Sequence, residues 1–241
     1  MRRAAEARKY VFLFFYQAEN DQTLAARKAF EEAMAQLVTR ADSAMVNRAD
    51  ANEQEIVKRL GLDRAPMPLI LAIAPNGAIT PSFVGSVGKD QLLTAFVSDA
   101  MARCLKALQD RKLVFVSVQG PGTQHNSEAM QGVREFATDK QYATQCEIVT
   151  VDPADSAEAA FLKQISVDPR TAEAVTVFLA PPGALVSTFT GATQKDALLA
   201  AAKKAAAGCD PRSGCCPTPA PASQPASPPS TNAAKTPEPK H

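Results

Sequence analysis

The chain repeats itself. Lys89-Asp90-Gln91-Leu92-Leu93 returns as Lys195-Asp196-Ala197-Leu198-Leu199, and Pro75-Asn76-Gly77 returns as Pro181-Pro182-Gly183. Gly85 after Phe83-Val84 returns as Gly191 after Phe189-Thr190. The glycine matches share one spacing (183 − 77 and 191 − 85 both give 106), and further upstream Lys9 to Phe12 match Lys112 to Phe115 at a spacing of 103 (112 − 9). Independent matches at nearly constant spacing mean that one supersecondary unit is built twice. A unit of this length is the size of a small domain. The expected organisation is therefore residues 1–109, residues 110–207 and a separate segment, residues 208–241.

Each copy reads as alternating strands and helices. Tyr10 to Tyr16 is a continuous apolar and aromatic run, as in a strand buried on both faces. Leu24, Phe30, Met34 and Leu37 recur at helical spacing, and Ala44 to Asn47 is a short second strand. Asn52 can cap a helix carrying Ile56, Val57 and Leu60, which Gly61 stops. Pro68 to Ala74 is a third strand, Pro75-Asn76-Gly77 a hairpin turn, and Ile79 to Val84 the returning strand. One long helix is expected over residues 89–109, with Leu92, Phe96, Met101, Leu105 and Leu108 along one face. The second copy predicts strands over 113–118, 147–151, 175–179 and 185–190, and helices over 127–140, 156–165 and 194–207.

The last segment differs in composition. Eight of the 18 prolines fall between Pro217 and Pro239, among alanine, serine and threonine. Such a segment has too little apolar surface to offset its ordering entropy and is expected to be a disordered, partly extended tail. It also holds three of the five cysteines, Cys209, Cys215 and Cys216.

Charge excludes some functions. With 26 basic and 25 acidic side chains the net charge is +1, which provides no bulk field for nucleic acid or an anionic membrane. No tryptophan and only three tyrosines leave no stacking platform for single strands. No apolar run reaches the length of a transmembrane helix. Met1-Arg2-Arg3 followed by Tyr10 to Tyr16 imitates a signal peptide, but no small-residue cleavage site follows, and the same apolar pattern returns in the second copy as a strand. The cytoplasm is the expected compartment. An exported, periplasmic protein is the alternative if a leader precedes this chain.

The order strand, helix, strand, helix, X-Pro-strand, hairpin, strand, Gly, helix resembles the thioredoxin superfamily. In the first copy the likeness rests on residues Val11 to Tyr16, Pro66-Met67-Pro68-Leu69-Ile70-Leu71, Asn76-Gly77 and Phe83-Val84-Gly85. It covers about residues 5–107 and again 108–207. It implies an α/β fold of two tandem three-layer α/β/α domains, and a cis peptide bond at Met67-Pro68. In the second copy Ala174 stands where that proline should be, so no cis bond is expected there.

The resemblance also shows what is missing. Enzymes of that family attack disulfides with a thiolate whose pKa is lowered at a helix N-terminus, using Cys-x-x-Cys. Here the segments after the first strands are Gln17-Ala18-Glu19-Asn20-Asp21-Gln22-Thr23 and Gln119-Gly120-Pro121-Gly122-Thr123-Gln124-His125. Neither contains a sulfur, and an amide or hydroxyl cannot form a mixed disulfide. Asn20 and Asp21 are candidate helix caps. By the resemblance, the surface around Asn20, Asp21, Met67 and Pro68 would receive an extended peptide or a partner protein. Cys104 reads as a core thiol, Cys146 as a core or edge residue, and His125 as a loop residue without an evident nucleophile to serve.

The expected function is thus a non-enzymatic binding or scaffold module with a protein or peptide partner, no nucleic acid and no cofactor. Its oligomeric state stays open. The alternative is a metal- or thiol-handling protein in which Cys209, Cys215 and Cys216 hold Cu(I) or Zn²⁺, or form a disulfide within the loop or between chains.

Overall fold

In a computed structural model of the protein, residues 6–85 and 87–207 are described. The expectations for residues 208–241, including Cys209, Cys215 and Cys216, lie outside them. The described chain builds two four-stranded sheets. The first comprises β1 (Tyr10–Tyr16), α1 (Asp21–Leu37), β2 (Ala41–Asn47), a 3-10 turn (Ala51–Glu53) entering α2 (Gln54–Arg59), β3 (Leu69–Ile73), β4 (Ile79–Val84) and α3 (Lys89–Leu93). The second comprises α4 (Asp99–Gln109), β5 (Leu113–Val118), α5 (Asn126–Ala137), β6 (Cys146–Val151), a 3-10 turn (Ser156–Glu158) entering α6 (Ala159–Gln164), β7 (Val175–Ala180), β8 (Ala184–Thr190) and α7 (Lys195–Ala207).

The sheets have the same winding, β2-β1-β3-β4 and β6-β5-β7-β8. The first two strands of each copy pair in parallel, which requires a crossover that α1 and α5 supply. The remaining pairs are antiparallel. This is the thioredoxin-like arrangement, present twice. The continuous apolar run of β1 is explained by its central place. Phe12 and Phe14 pack against Phe30, Ala33 and Leu37 of α1, while Leu13 and Phe15 face Val57 of α2 and Leu69 and Leu71 of β3. In β5 the same alternation sends Phe115 towards Val133, Phe136 and Leu198, and Val114, Val116 and Val118 towards Leu108, Phe161 and Leu162.

The expected single helix over residues 89–109 is instead two. α3 stops at Leu93, and Ser98 starts α4 by accepting the Met101 N–H on its Oγ. The linker is held in the first core. Ala95 is fully buried, and the Phe96 ring lies 4.7 Å from that of Tyr10 and 5.9 Å from that of Phe12. The Tyr10 hydroxyl donates to the Val97 carbonyl at 3.2 Å and accepts the Val97 N–H at 3.1 Å. The apolar periodicity that suggested one helix serves two cores, and within α4 the residues facing each core alternate. Leu92, Ala102 and Leu105 belong to the first, whereas Ala100, Met101, Cys104, Ala107 and Leu108 belong to the second. α4 is thereby shared, packing on the second sheet with one face and on the first core with the other.

Smaller differences have local causes. β2 begins at Ala41, earlier than the apolar residues suggest, because its pairing with β1 starts at Tyr10. Asp50, not Asn52, provides the cap before α2, accepting the Asn52 N–H at 2.9 Å. Gly61, with φ of +67°, ends that segment as expected of a residue without Cβ. The cis bonds among the described residues are Met67-Pro68, as expected, and Pro181-Pro182 in the second hairpin, which was not.

Candidate functional site

Where β1 ends, the chain turns through residues 17–20 into α1. Asn20 caps this helix, its Oδ1 accepting the Thr23 N–H at 2.8 Å. Asp21 fills the first turn, where a carboxylate complements the helix dipole. Glu19, paired with Arg27 at 2.6 Å, adds a second carboxylate nearby. The Arg27 guanidinium also lies 4.9 Å over the Tyr16 ring. This helix start is therefore spent on its own carboxylates and does not favour an anionic ligand.

Met67 and Pro68 lead into β3. Pro68 is buried, and its carbonyl accepts the Gly85 N–H at 2.8 Å. Gly85 has φ of +81°, and a Cβ built on it would lie 3.5 Å from the Gln22 amide nitrogen. Gln22, which carries no signal in the sequence, thus lies beside Gly85, whose N–H bonds to Pro68. Met67 is half-buried against the cluster that contains Leu69 and Val57, and among the described residues its backbone N–H and C=O have no partner. Beside it Val84, opposite Leu69, is 56% exposed. The loop before Met67 is held by Arg48, which donates to the carbonyls of Leu62 and Asp63 at 3.4 Å and of Ala65 at 2.6 Å, and to the Gln17 side chain. An open, partly apolar strand end on a fixed loop is what the first copy presents.

The second copy closes the same place. The Ala174 carbonyl accepts the Gly191 N–H at 2.8 Å, as Pro68 does from Gly85. Here, however, Gln124 donates its N–H to the Ala172 carbonyl at 2.9 Å and accepts the Ala174 N–H at 2.9 Å. The result is a parallel bridge between Gln124 and Glu173, which the first copy cannot form in the same way because Pro68, the counterpart of Ala174, has no N–H. Thr123 and Asn126 brace this loop against Gly120. His125, with φ of +60°, sits at the start of α5 with Nδ1 4.0 Å from a Glu173 carboxylate oxygen. It approaches Gly191 as Gln22 approaches Gly85. Beneath it, Ser117 and Thr176 stand at the positions that Phe14 and Ile70 hold in the first copy. The buried Ser117 Oγ has no hydrogen-bond partner among the described residues.

Neither described cysteine is near a helix start that could activate it. Cys104 is 3% exposed in the second core, and Cys146 pairs with Leu113, at the end of β5 remote from the His125 loop. Burial pushes both thiols up to about 11. Two units above the ordinary thiol value means about a hundredfold less thiolate at neutral pH. In peptide-mapped alkylation with iodoacetamide at pH 8, Cys104 and Cys146 react roughly a hundredfold more slowly in the folded chain than in denaturant. Equal rates would contradict their burial.

Fold and site together define a tandem thioredoxin-like α/β protein, with a cysteine-free site open in the first unit and bridged in the second. Among solved structures the chain is similar to the germline-specific thioredoxin Deadhead of Drosophila melanogaster, at 18% identity and a TM-score of 0.31, over 39% of this chain and 84% of that one. It is also similar to mitochondrial thioredoxin 3 of Saccharomyces cerevisiae, at 11% identity and a TM-score of 0.31, over 39% of this chain and 81% of that one. A DsbF homologue from Corynebacterium diphtheriae matches at 14% identity and a TM-score of 0.30, over 38% of this chain and 73% of that one. Comparison with models of protein families finds no match, and neither does comparison with curated proteins.

Proposed function

We propose that the protein is a non-catalytic binding module whose first unit holds an extended segment of a partner protein, with the second unit as its scaffold. The observation that carries this reading is the contrast between the two strand ends. Gln124 supplies backbone hydrogen bonds on both sides of Glu173, while Met67 keeps its N–H and C=O unpaired among the described residues. In the second unit the counterpart groups, the Glu173 N–H and C=O, are taken by the Thr171 hydroxyl, which accepts the first at 3.3 Å and donates to the second at 2.8 Å. An incoming strand would pair with the Met67 N–H and C=O themselves, because Pro68, which stands where Ala174 donates to Gln124, has no N–H. It would also cover the side chains of Met67 and Val84, so affinity comes from the backbone and selectivity from apolar contact. Asn20 and Asp21 border this surface as a capped helix start, with their polar groups directed to the helix itself. The cysteine-free loops favour adhesion over electron exchange. No helix among the described residues is long and apolar enough to cross a membrane.

The test is titration of the full chain with a permanently unfolded, reduced and carboxymethylated protein, followed by calorimetry. Met67→Asp and Val84→Asp each weaken binding about tenfold or more, equivalent to about 1.4 kcal/mol. His125→Ala, in the bridged unit, leaves it unchanged. Equal affinity of wild type and both aspartate variants would remove this reading, as would insulin reduction above background by the wild-type chain.

A further inference from the structure

We infer that β8 is a self-association edge, through which two copies of this chain pair antiparallel and join their second sheets into one. A strand at the border of a sheet offers a row of unpaired N–H and C=O groups, and soluble proteins blunt such rows with proline, charge or covering side chains. Three of the four border strands here carry such a device. In β4, Pro81 lacks a donor, and the side-chain amide of Gln109 pairs with the Ile79 backbone, accepting its N–H at 2.9 Å and donating to its C=O at 2.6 Å. In β6, the Arg103 guanidinium donates to the Ile148 carbonyl at 3.1 Å and pairs with Glu147. In β2, Asp42 places a charge on the strand, paired with Lys9.

β8 has none of these. Its sequence, Ala184-Leu185-Val186-Ser187-Thr188-Phe189-Thr190, contains no charge and no proline. Leu185 is the repeat counterpart of Ile79, yet no side chain among the described residues reaches its backbone, and it is 62% exposed. The register fixes which groups face outward. Gly191 donates to the Ala174 carbonyl, so hydrogen-bonded and outward-facing positions alternate from there, and Thr188 and Thr190 turn their N–H and C=O away from β7.

These features select a second copy as the occupant. A two-fold axis through Phe189 sets Thr188 of one copy opposite Thr190 of the other, twice, so that both threonines exchange backbone hydrogen bonds with their partners. Thr–Thr cross-strand pairs are favourable. An uncharged strand meets its own image without the like-charge repulsion that Asp42 or Glu147 would introduce. The interface is isologous and closes on itself, giving a dimer rather than a filament.

Sedimentation velocity of the full chain over a concentration series tests this. The wild type is expected to show a concentration-dependent dimer. Thr188→Pro removes an outward N–H, and Thr188→Lys brings like charges together. Neither touches the bonds to β7, so both should keep the wild-type circular dichroism and unfolding midpoint while raising the dimer dissociation constant about tenfold or more. Ser82→Lys, the equivalent change on β4, leaves the dimer intact. A wild type that stays monomeric at every concentration overturns the inference, and so does a dimer that survives both Thr188 variants. A monomer in which the Thr188 and Thr190 amides exchange slowly with solvent deuterium would assign this edge to residues 208–241 of the same chain, and overturns it equally.

Discussion

Phe115→Ala lowers the unfolding free energy by about 4 kcal/mol, within the range for deleting a fully buried phenylalanine. Phe115 is completely buried at the centre of β5. Its ring stacks on Phe178 at 4.5 Å with 27° between the planes, and meets Phe136 edge-on at 5.0 Å and 70°. Phe136 in turn stacks on Tyr142 at 4.5 Å. Removing the central ring takes away its own burial and both aromatic contacts, each worth about 0.5–1.5 kcal/mol beyond area. The strand cannot collapse into the gap, because β5 is paired on both edges, with β6 and β7. Phe115→Leu keeps most of the volume and costs under about 1.5 kcal/mol. Urea unfolding, with the midpoint shift compared at constant slope, reads both values. A loss below about 1 kcal/mol for the alanine variant would mean that this cluster is not the centre of the second core.

The same residues show why so much of the fold was legible in the sequence. β1 and β5 are central strands, so period and composition agree: both faces are apolar, and Phe12 and Phe115 recur with the repeat. The hairpins were marked by Asn76-Gly77 and Pro182-Gly183, and the units by their shared spacing. What failed to show was long-range allocation. Leu92, Phe96, Met101, Leu105 and Leu108 form one periodic stripe, and periodicity does not say which sheet a stripe serves. Ser98 followed by Asp99 was the local sign of a new helix, since a hydroxyl that bonds the backbone competes with helix continuation. The asymmetry of the two sites was hidden for a different reason. Nothing in Gln124 announces that its backbone will bridge to Glu173, because backbone pairing is indifferent to side-chain identity. Gln22 and Arg48 were equally silent, since each acts through carbonyls or glycines distant in sequence.

The two units have diverged in one direction at the site. Where the first has Phe14 and Ile70 beneath an open strand end, the second has Ser117 and Thr176 beneath a bridged one. The sheet framework above these positions is unchanged, with the same pairing and the same hydrogen bond from glycine to the residue at the start of the third strand. Duplication has kept the scaffold, and the ends of the third strands are where the two copies differ.

Gly132→Ala separates packing from propensity. Gly132 lies inside α5, where replacing glycine by alanine in a helix ordinarily stabilises by about 1 kcal/mol. Here the opposite sign is expected, a loss of about 3 kcal/mol. A Cβ at Gly132 would stand 1.8 Å from the Thr193 carbonyl oxygen, 2.8 Å from the Thr193 carbonyl carbon and 3.1 Å from the Gln194 Cα. These are backbone atoms, immediately before α7, and cannot rotate aside as a flexible side chain would. Thr193 is itself 2% exposed, and its hydroxyl lies 3.5 Å from that of Thr176. Relief therefore requires α5 or α7 to move as a body, pulling Val133, Phe136 or Leu198 out of register around Phe115. Overpacking of this kind costs about 1–3 kcal/mol, and more where backbone opposes it. Gly122→Ala is the control, since nothing lies within 4 Å of a Cβ there and the change should fall within about 0.5 kcal/mol. Paired urea titrations decide the matter: a Gly132→Ala chain as stable as the wild type, or more so, would show that α5 and α7 do not meet through Gly132 and Thr193.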